Sequence, residues 1–476
     1  MNITRNFRVS LLVIAAVATT SVEAETLMEI YQRALQNDPL IRQAEALYLA
    51  NLETKPQARS AILPFVSLSA GAATAHSEDP NRPTNFATGQ VDPDILSTEV
   101  DRDSSNWSLN LDQTVFDWGQ ILQLRQADKV IARAEADYEV AKQDLLFRVA
   151  TTYFLVLAAE DTLASEQSAR DAIGRQLEQA QRRFEVGLIA VTDVEEAQAG
   201  YDLAVATEIA AQQNVATTQE FLREIIGEYV QDLAAPAGEI PLVTPRPADV
   251  EAWVNQALEQ NLLLISGRLS ADIARDTVSI QRSARLPSVT LSTSLSHAGS
   301  DVVRFNNLVA NAPCLQALPC PPLRTPSQTA SDNYSIALRL SVPIYTGGFN
   351  ASRIQQAVYE HRGVLEALEQ IARQTEREAR DAYLSVLSEI SRVRALAQAV
   401  ESSRTALRAT EAGFEVGTRT TVDVLTSQNN LRRAETTFAR SRYDYILNVL
   451  RLKLAAGSLS VADIEEVDGW LVDSTG

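Results

Sequence analysis

Cysteine, histidine and long apolar runs are all scarce in this 476-residue sequence. It holds 2 Cys and 3 His, and His76, His297 and His361 are too scattered to form a dense metal cluster. Two cysteines do not make a disulfide framework. Lys and Arg number 42 against 61 Asp and Glu, a formal charge of -19 that disfavours nucleic-acid binding, where affinity rests on cations near phosphates. The motifs of enzymes are missing too: there is no Gly-rich phosphate loop, nucleophile elbow, zinc spacing or catalytic histidine, so neither an enzyme nor a cofactor or metal is expected. What is present is a chain 45% hydrophobic and 22% charged, which belongs with packed rather than disordered proteins.

Arg5 and Arg8 precede an apolar run from Val9 to Ala18, and Val22-Glu23-Ala24 ends with small residues where a signal peptidase reads. The run is about half of the roughly twenty residues a membrane helix needs. Residues 1–24 are therefore expected to be a secretory signal, and the missing cysteine at the cleavage point argues against N-terminal lipid attachment.

The remainder is a duplication. Arg59-Ser60-Ala61 and Leu63-Pro64 recur as Arg282-Ser283-Ala284 and Leu286-Pro287, and Phe184-Glu185-Val186-Gly187 recurs unchanged as Phe414-Glu415-Val416-Gly417. Each glycine is followed six residues later by Asp193-Val194 or Asp423-Val424. The proline-rich stretch holding Pro236, Pro241, Pro245 and Pro247 reads as the connector. The expected repeats are 25–246 and 247–476.

Within each repeat the hydrophobic period switches. Leu124, Ala127, Ile131, Ala134, Tyr138, Ala141 and Leu145 follow a heptad seam rich in alanine, and Val194 to Ile225 keeps the same steps with Glu208 as a polar exception. Helices are expected near 40–62, 118–185 and 193–226, then near 263–285, 350–415 and 423–456. A helix over 118–185 would be about 100 Å long at about 1.5 Å per residue, too long for a globular core. Trp107, Leu109, Leu111 and Val115 instead alternate with polar residues, as do Tyr334, Ile336, Leu338, Leu340 and Val342. Strands are expected near 65–75, 106–116, 288–297 and 333–344, about the length that crosses a membrane when tilted.

Four strands cannot close a barrel, and lipid does not tolerate open β edges, so the chain is expected to assemble symmetrically and pool its strands. The polar stretches His76–Ser105 and Ala298–Asp332 read as outward loops, and Cys314 and Cys320 in the second are a disulfide candidate, with a free or metal-binding pair as the alternative.

These features resemble the TolC family of outer-membrane efflux and secretion channels through nearly the whole mature chain. The most specific passages are Phe184-Glu185-Val186-Gly187-Leu188 with Thr192-Asp193-Val194, and Glu411 to Thr420 with Val422-Asp423-Val424-Leu425. The resemblance implies a mainly α fold with a membrane β-barrel: a homotrimer whose twelve strands form that barrel, continued by an α-helical barrel across the periplasm. It also implies location in the outer membrane of a Gram-negative bacterium, docking to a periplasmic adaptor and an RND or ABC inner-membrane pump, and export of toxic compounds or type I secretion of proteins.

The two shared passages read as hairpin tips, with Gly187 and Gly417 ending helices in the left-handed conformation and Thr192-Asp193-Val194-Glu195 as a capping box. Asp193 and Asp423 serve as helix N-terminal acids, or, in a trimer, three copies of Asp423 form an acidic ring that favours cations. By resemblance, Arg419 would tie neighbouring helices to Thr192 or Asp193. Phe414 stands where the family pattern has a tyrosine, and Thr426 where a second acid is expected. Val186, Gly187, Leu188, Val416, Gly417 and Thr418 would meet the adaptor. The competing reading is a periplasmic or surface coiled-coil scaffold, which accounts for the heptads and leaves the amphipathic strands unexplained.

Overall fold

The computed structural model describes residues 24–79, 84–85, 89–91, 95–230, 232–236, 240–308 and 323–471. The expected signal up to Glu23, and both Cys314 and Cys320, lie outside the described residues. In chain order the elements are α1 (Leu27–Asn37), α2 (Pro39–Leu52), α3 (Thr54–Ser60), β1 (Phe65–Asp79), the two-residue strands β2 (Thr84–Asn85) and β3 (Gln90–Val91), and β4 (Ile95–Phe116). There follow α4 (Trp118–Glu185), α5 (Val191–Ile226), α6 (Val250–Gln260), α7 (Leu262–Ser283), β5 (Ser288–Leu308), β6 (Leu323–Ser341), α8 (Phe349–Glu415), α9 (Thr421–Ala455) and α10 (Val461–Asp468). Among the described residues no helix is long and apolar enough to cross a membrane.

The chain forms two compact units that cut across the sequence repeat. One comprises the described residues within 1–47, 136–265 and 369–476, the other those within 48–135 and 266–368.

The second unit carries an antiparallel sheet in the order β1-β4-β5-β6. Its ladders run far past the expected strand ends: β4 pairs with β5 from Ile95 opposite Leu308 to Phe116 opposite Val289. Much of the two expected loops is therefore strand. Their Ser, Thr, Asn and Asp residues carry no apolar alternation, yet backbone hydrogen bonding needs none. At the other end β6 stops at Ser341 rather than 344, because Pro343 has no N–H for a ladder. Trp107 lies opposite His297, and Leu295 opposite Tyr334, so one face of the sheet is lined by aromatic and aliphatic side chains. Leu68, Leu109, Tyr334, Ile336, Leu338 and Leu340 are all exposed on this single chain. β1 and β6 are the sheet's two edges, and neither has a second strand partner among the described residues.

The first unit holds the main apolar core. Tyr153 and Phe154 of α4 meet edge to face at 5.5 Å, and Phe154 stacks on Tyr443 of α9, also at 5.5 Å. Around them pack Leu27 and Ile30 of α1, Ile226 of α5, Ile446 and Leu450 of α9, and Ile464 of α10. On α5 the buried residues Ala197, Ala204, Ala211, Thr218, Leu222 and Ile225 keep a coiled-coil spacing, and the alanines permit close helix approach. Glu208, the polar exception in this seam, accepts a hydrogen bond from Arg170 of α4 at 2.7 Å. Between α1 and α2, the fully buried Asp38 pairs with Arg148 of α4 at 2.5 Å while accepting from the Leu40 N–H at 2.6 Å. Removing one partner of such a pair leaves an uncompensated buried charge, so Arg148→Ala is expected to cost about 3–5 kcal/mol, read as an earlier denaturation midpoint.

Candidate functional site

The two longest helices end at turns of the same construction. After α4, Gly187 takes φ 71°, its N–H donates to the Phe184 carbonyl at 2.8 Å, and Leu188 N–H donates to the Arg183 carbonyl at 2.8 Å. After α8, Gly417 takes φ 79°, with matching bonds to Phe414 at 3.1 Å and from Thr418 to Gly413 at 2.9 Å. This is the six-to-one pattern that satisfies the last helix carbonyls, and its left-handed residue favours glycine because a Cβ there crowds the backbone. Val186 and Leu188 on one turn and Val416 on the other are about three-quarters exposed, at 70%, 72% and 75%.

The helices that leave the turns start differently. α9 begins with a full capping box: Thr420 Oγ1 accepts from Asp423 N–H at 3.3 Å, and Asp423 accepts from Thr420 N–H at 2.9 Å. The Thr420 hydroxyl bonds the same carboxylate at 3.0 Å. These bonds, with Arg419 beside them, hold the Asp423 carboxyl below the usual aspartate range. On α5 the expected capping box at Thr192 is displaced. The cap residue is Ala190, whose N–H donates to Asp193 at 3.2 Å, and Thr192 is exposed within the first helical turn. An alanine has no side-chain oxygen to return the bond, so α5 keeps only half the box.

Within this single chain Arg419 pairs with Asp423 at 3.9 Å, one turn along its own chain. Both side chains are well exposed, and such a pair contributes little on its own. Phe414, by contrast, is buried, with the Arg183 guanidinium 4.8 Å from its ring centre. A phenol hydroxyl is not needed for that contact; the ring face attracts the cation directly. The contact ties the end of α4 to the end of α8, and it brings the two turns of one chain together. Arg183 was legible only as one more basic residue in the last turn of α4, where it also complements the helix dipole.

Among the described residues no group of three or more His, Cys, Asp or Glu could hold a metal ion. The arrangement is thus two apolar, exposed turns backed by one acid each, with an arginine beside one acid and another over a buried ring.

The sequence matches the family model described as "Outer membrane efflux protein" over residues 30–228 and 253–458. It is 36% identical over 463 residues to outer membrane protein TolC of Vibrio cholerae, covering 97% of this chain and 98% of that one. The alkaline protease secretion protein AprF of Pseudomonas aeruginosa is 29% identical over 449 residues, covering 93% of this chain and 86% of its own. Among solved structures, the Campylobacter jejuni CmeC outer membrane channel superposes with a TM-score of 0.72 at 17% identity, over 95% of this chain and 91% of that one.

Proposed function

Because the chain belongs to the outer membrane efflux protein family, and is therefore an outer-membrane efflux channel, we propose that it works as a homotrimer whose entrance is the pair of hairpin turns. The observation that carries this is the incomplete sheet. β1 and β6 present free edges beside an exposed apolar face, and a bilayer excludes such edges unless another strand pairs with them. Three copies, with β6 of each beside β1 of the next, close twelve strands into a barrel of ordinary size and leave no edge.

In that assembly Asp423 and Asp193 contribute acids near the axis, favouring cations at the entrance. Arg419 is oriented by Asp423 within one copy and, with Thr192, lies at the surface that meets a neighbour. Phe414 and Arg183 fix the two turns of each copy as one piece. The exposed turns, Val186-Gly187-Leu188 and Val416-Gly417-Thr418, offer an apolar end to a periplasmic adaptor, which links the channel to an inner-membrane pump. The family model is described as an outer membrane efflux protein and one relative is an alkaline protease secretion protein, so both small toxic compounds and secreted proteins fit as cargo.

The test is electrical. Purified protein in planar bilayers is expected to show discrete cation-selective channels of low conductance, raised by Arg419→Ala or Asp193→Ala through loss of restraints on the turns. Absence of any channel activity would overturn the assignment of a trimeric pore. Unaltered traces in both variants would remove these residues from the gate.

A further inference from the structure

The face of α9 nearest the turns joins α5 and α4 through a seam of mixed character. Thr421, Leu425, Gln428 and Arg432 recur at steps of four, three and four, the spacing of a helix seam. Leu425 sits against α5 at Gly200: a Cβ added there would lie 3.2 Å from Leu425 Cδ1 and 3.8 Å from Ile173 Cγ2 of α4. One heptad further along, the same three helices meet through charge instead. Arg432 pairs with the buried Glu166 of α4, which also accepts a hydrogen bond from Thr207 of α5 at 3.1 Å.

On these stretches of α9 and α4 three enclosed polar atoms lack a hydrogen-bond partner. Thr421 is 1% exposed, and its Oγ1 has no hydrogen-bond partner. Gln428 Oε1, on the same face of α9, is likewise enclosed without one. So is Nε2 of Gln176, a 9% exposed residue one turn from Ile173 on α4. All three atoms are shut off from solvent by their own chain, so a symmetry mate cannot reach them while the helices stay in place. A buried donor or acceptor without a partner bears its full desolvation cost, and separation of the helices would return it to water.

We propose that the stretch of α9 from Thr421 to Gln428 is the parting seam of the channel entrance. Leu425 in the Gly200 notch holds it shut, the Arg432–Glu166 pair anchors its inner end, and the unpaired Thr421, Gln428 and Gln176 groups bias it toward opening. This rests on reading the turns as a gate and adds the contact that the gate breaks. A pump or adaptor then has to overcome only one small apolar contact, because hydration of three polar groups offsets much of it.

The seam predicts effects of opposite sign, which a general packing defect does not produce. In the full-length protein in planar bilayers, Thr421→Val combined with Gln176→Leu is expected to lower the open-state occupancy about tenfold, since each change removes a buried unpaired group. Leu425→Ala is expected to raise conductance. Gly200→Ala is expected to do the same, by pushing α9 away, and Leu425→Ala keeps the test intact if the alanine at 200 prevents assembly. Equal occupancy, or a rise, in the Thr421→Val/Gln176→Leu protein overturns the proposal. So does unaltered conductance in Leu425→Ala. Block by a multivalent cation is measured on the same channels with Asp423→Asn: if that block weakens while the seam variants do nothing, the seam fails and the gate stands. If neither responds, both fail.

Discussion

A tryptophan at Gly187 or Gly417 abolishes export while the protein still reaches and assembles in the outer membrane. Both glycines have positive φ, yet a Cβ added at either meets no atom within 4 Å. The cost inside the chain is therefore conformational alone, about 1–2 kcal/mol for an L-residue in the left-handed region. That is a fraction of the several kcal/mol by which an ordinary domain is stable, and in this protein the main core sits elsewhere, around Tyr153, Phe154 and Tyr443. Outside the chain the cost is larger. The glycines lie between Val186 and Leu188 and beside Val416, all exposed, so a bulky side chain projects into the surface offered to the adaptor. Cells carrying Gly187→Trp or Gly417→Trp should be as drug-sensitive as cells without the protein, with trimer yield near wild type. A parallel fall in yield and resistance would mean that the glycines serve only the turn.

The helices and the turns were legible because their signals are local. The α4 and α8 bounds follow from unbroken heptads that end at glycines, and the strand cores follow from alternation around Trp107 and Tyr334. What escaped was of two kinds. The outer half of β4 is mostly polar and that of β5 breaks the alternation at the adjacent Val302 and Val303, so their pairing is set by a partner strand that periodicity does not report. The short helices α1, α6 and α10 were also missed, although each has a capping acid or hydroxyl in its sequence: Thr26 with Glu29, Asp249, and Ser460 with Asp463. Their existence depends on docking against the core, as with Leu27, Trp253 and Ile464, and helices this short are marginal alone.

The candidate site divides in the same way. Gly187, Gly417, Asp193 and Asp423 are readable from spacing, since a turn glycine and a first-turn acid each act within a few residues. The partner of Phe414 is a tertiary fact, whereas Arg419 reaches Asp423 four residues along its own chain. The family pattern suggested a latch weakened by the missing tyrosine hydroxyl, whereas the ring of Phe414 is buried beneath Arg183, a residue 231 positions away in the chain. Glu208 shows the converse: a charge that interrupts an apolar seam marks a partner, here Arg170, which the sequence alone does not name.

Asp423→Asn is expected to weaken block by multivalent cations about 100-fold. In a trimer the substitution removes three carboxylates from one constriction; two unit charges about 4 Å apart in water interact by about 1 kcal/mol, so a divalent cation facing three acids gains at most about 6 kcal/mol, and wider spacing with salt screening leaves about 2.7 kcal/mol, a factor of about 100. Asparagine keeps an oxygen able to accept from Thr420, so the helix start survives and the measured change is one of charge. The pH dependence separates Asp423 from other acids. Within one copy its carboxyl is held low chiefly by hydrogen bonds from Thr420, with Arg419 adding to the effect, so the wild-type block should fade at lower pH than it does once a Thr420 bond is removed. The sign for stability is the same: a depressed folded-state pKa gives a contribution present above the unfolded value and lost as pH falls through the folded one. Thr420→Ala removes the side-chain bond that helps to lower this pKa, and should move the midpoint of block upward while leaving block at neutral pH intact. A midpoint unmoved by Thr420→Ala, in channels whose block still depends on Asp423, would mean that the capping box does not tune the acid.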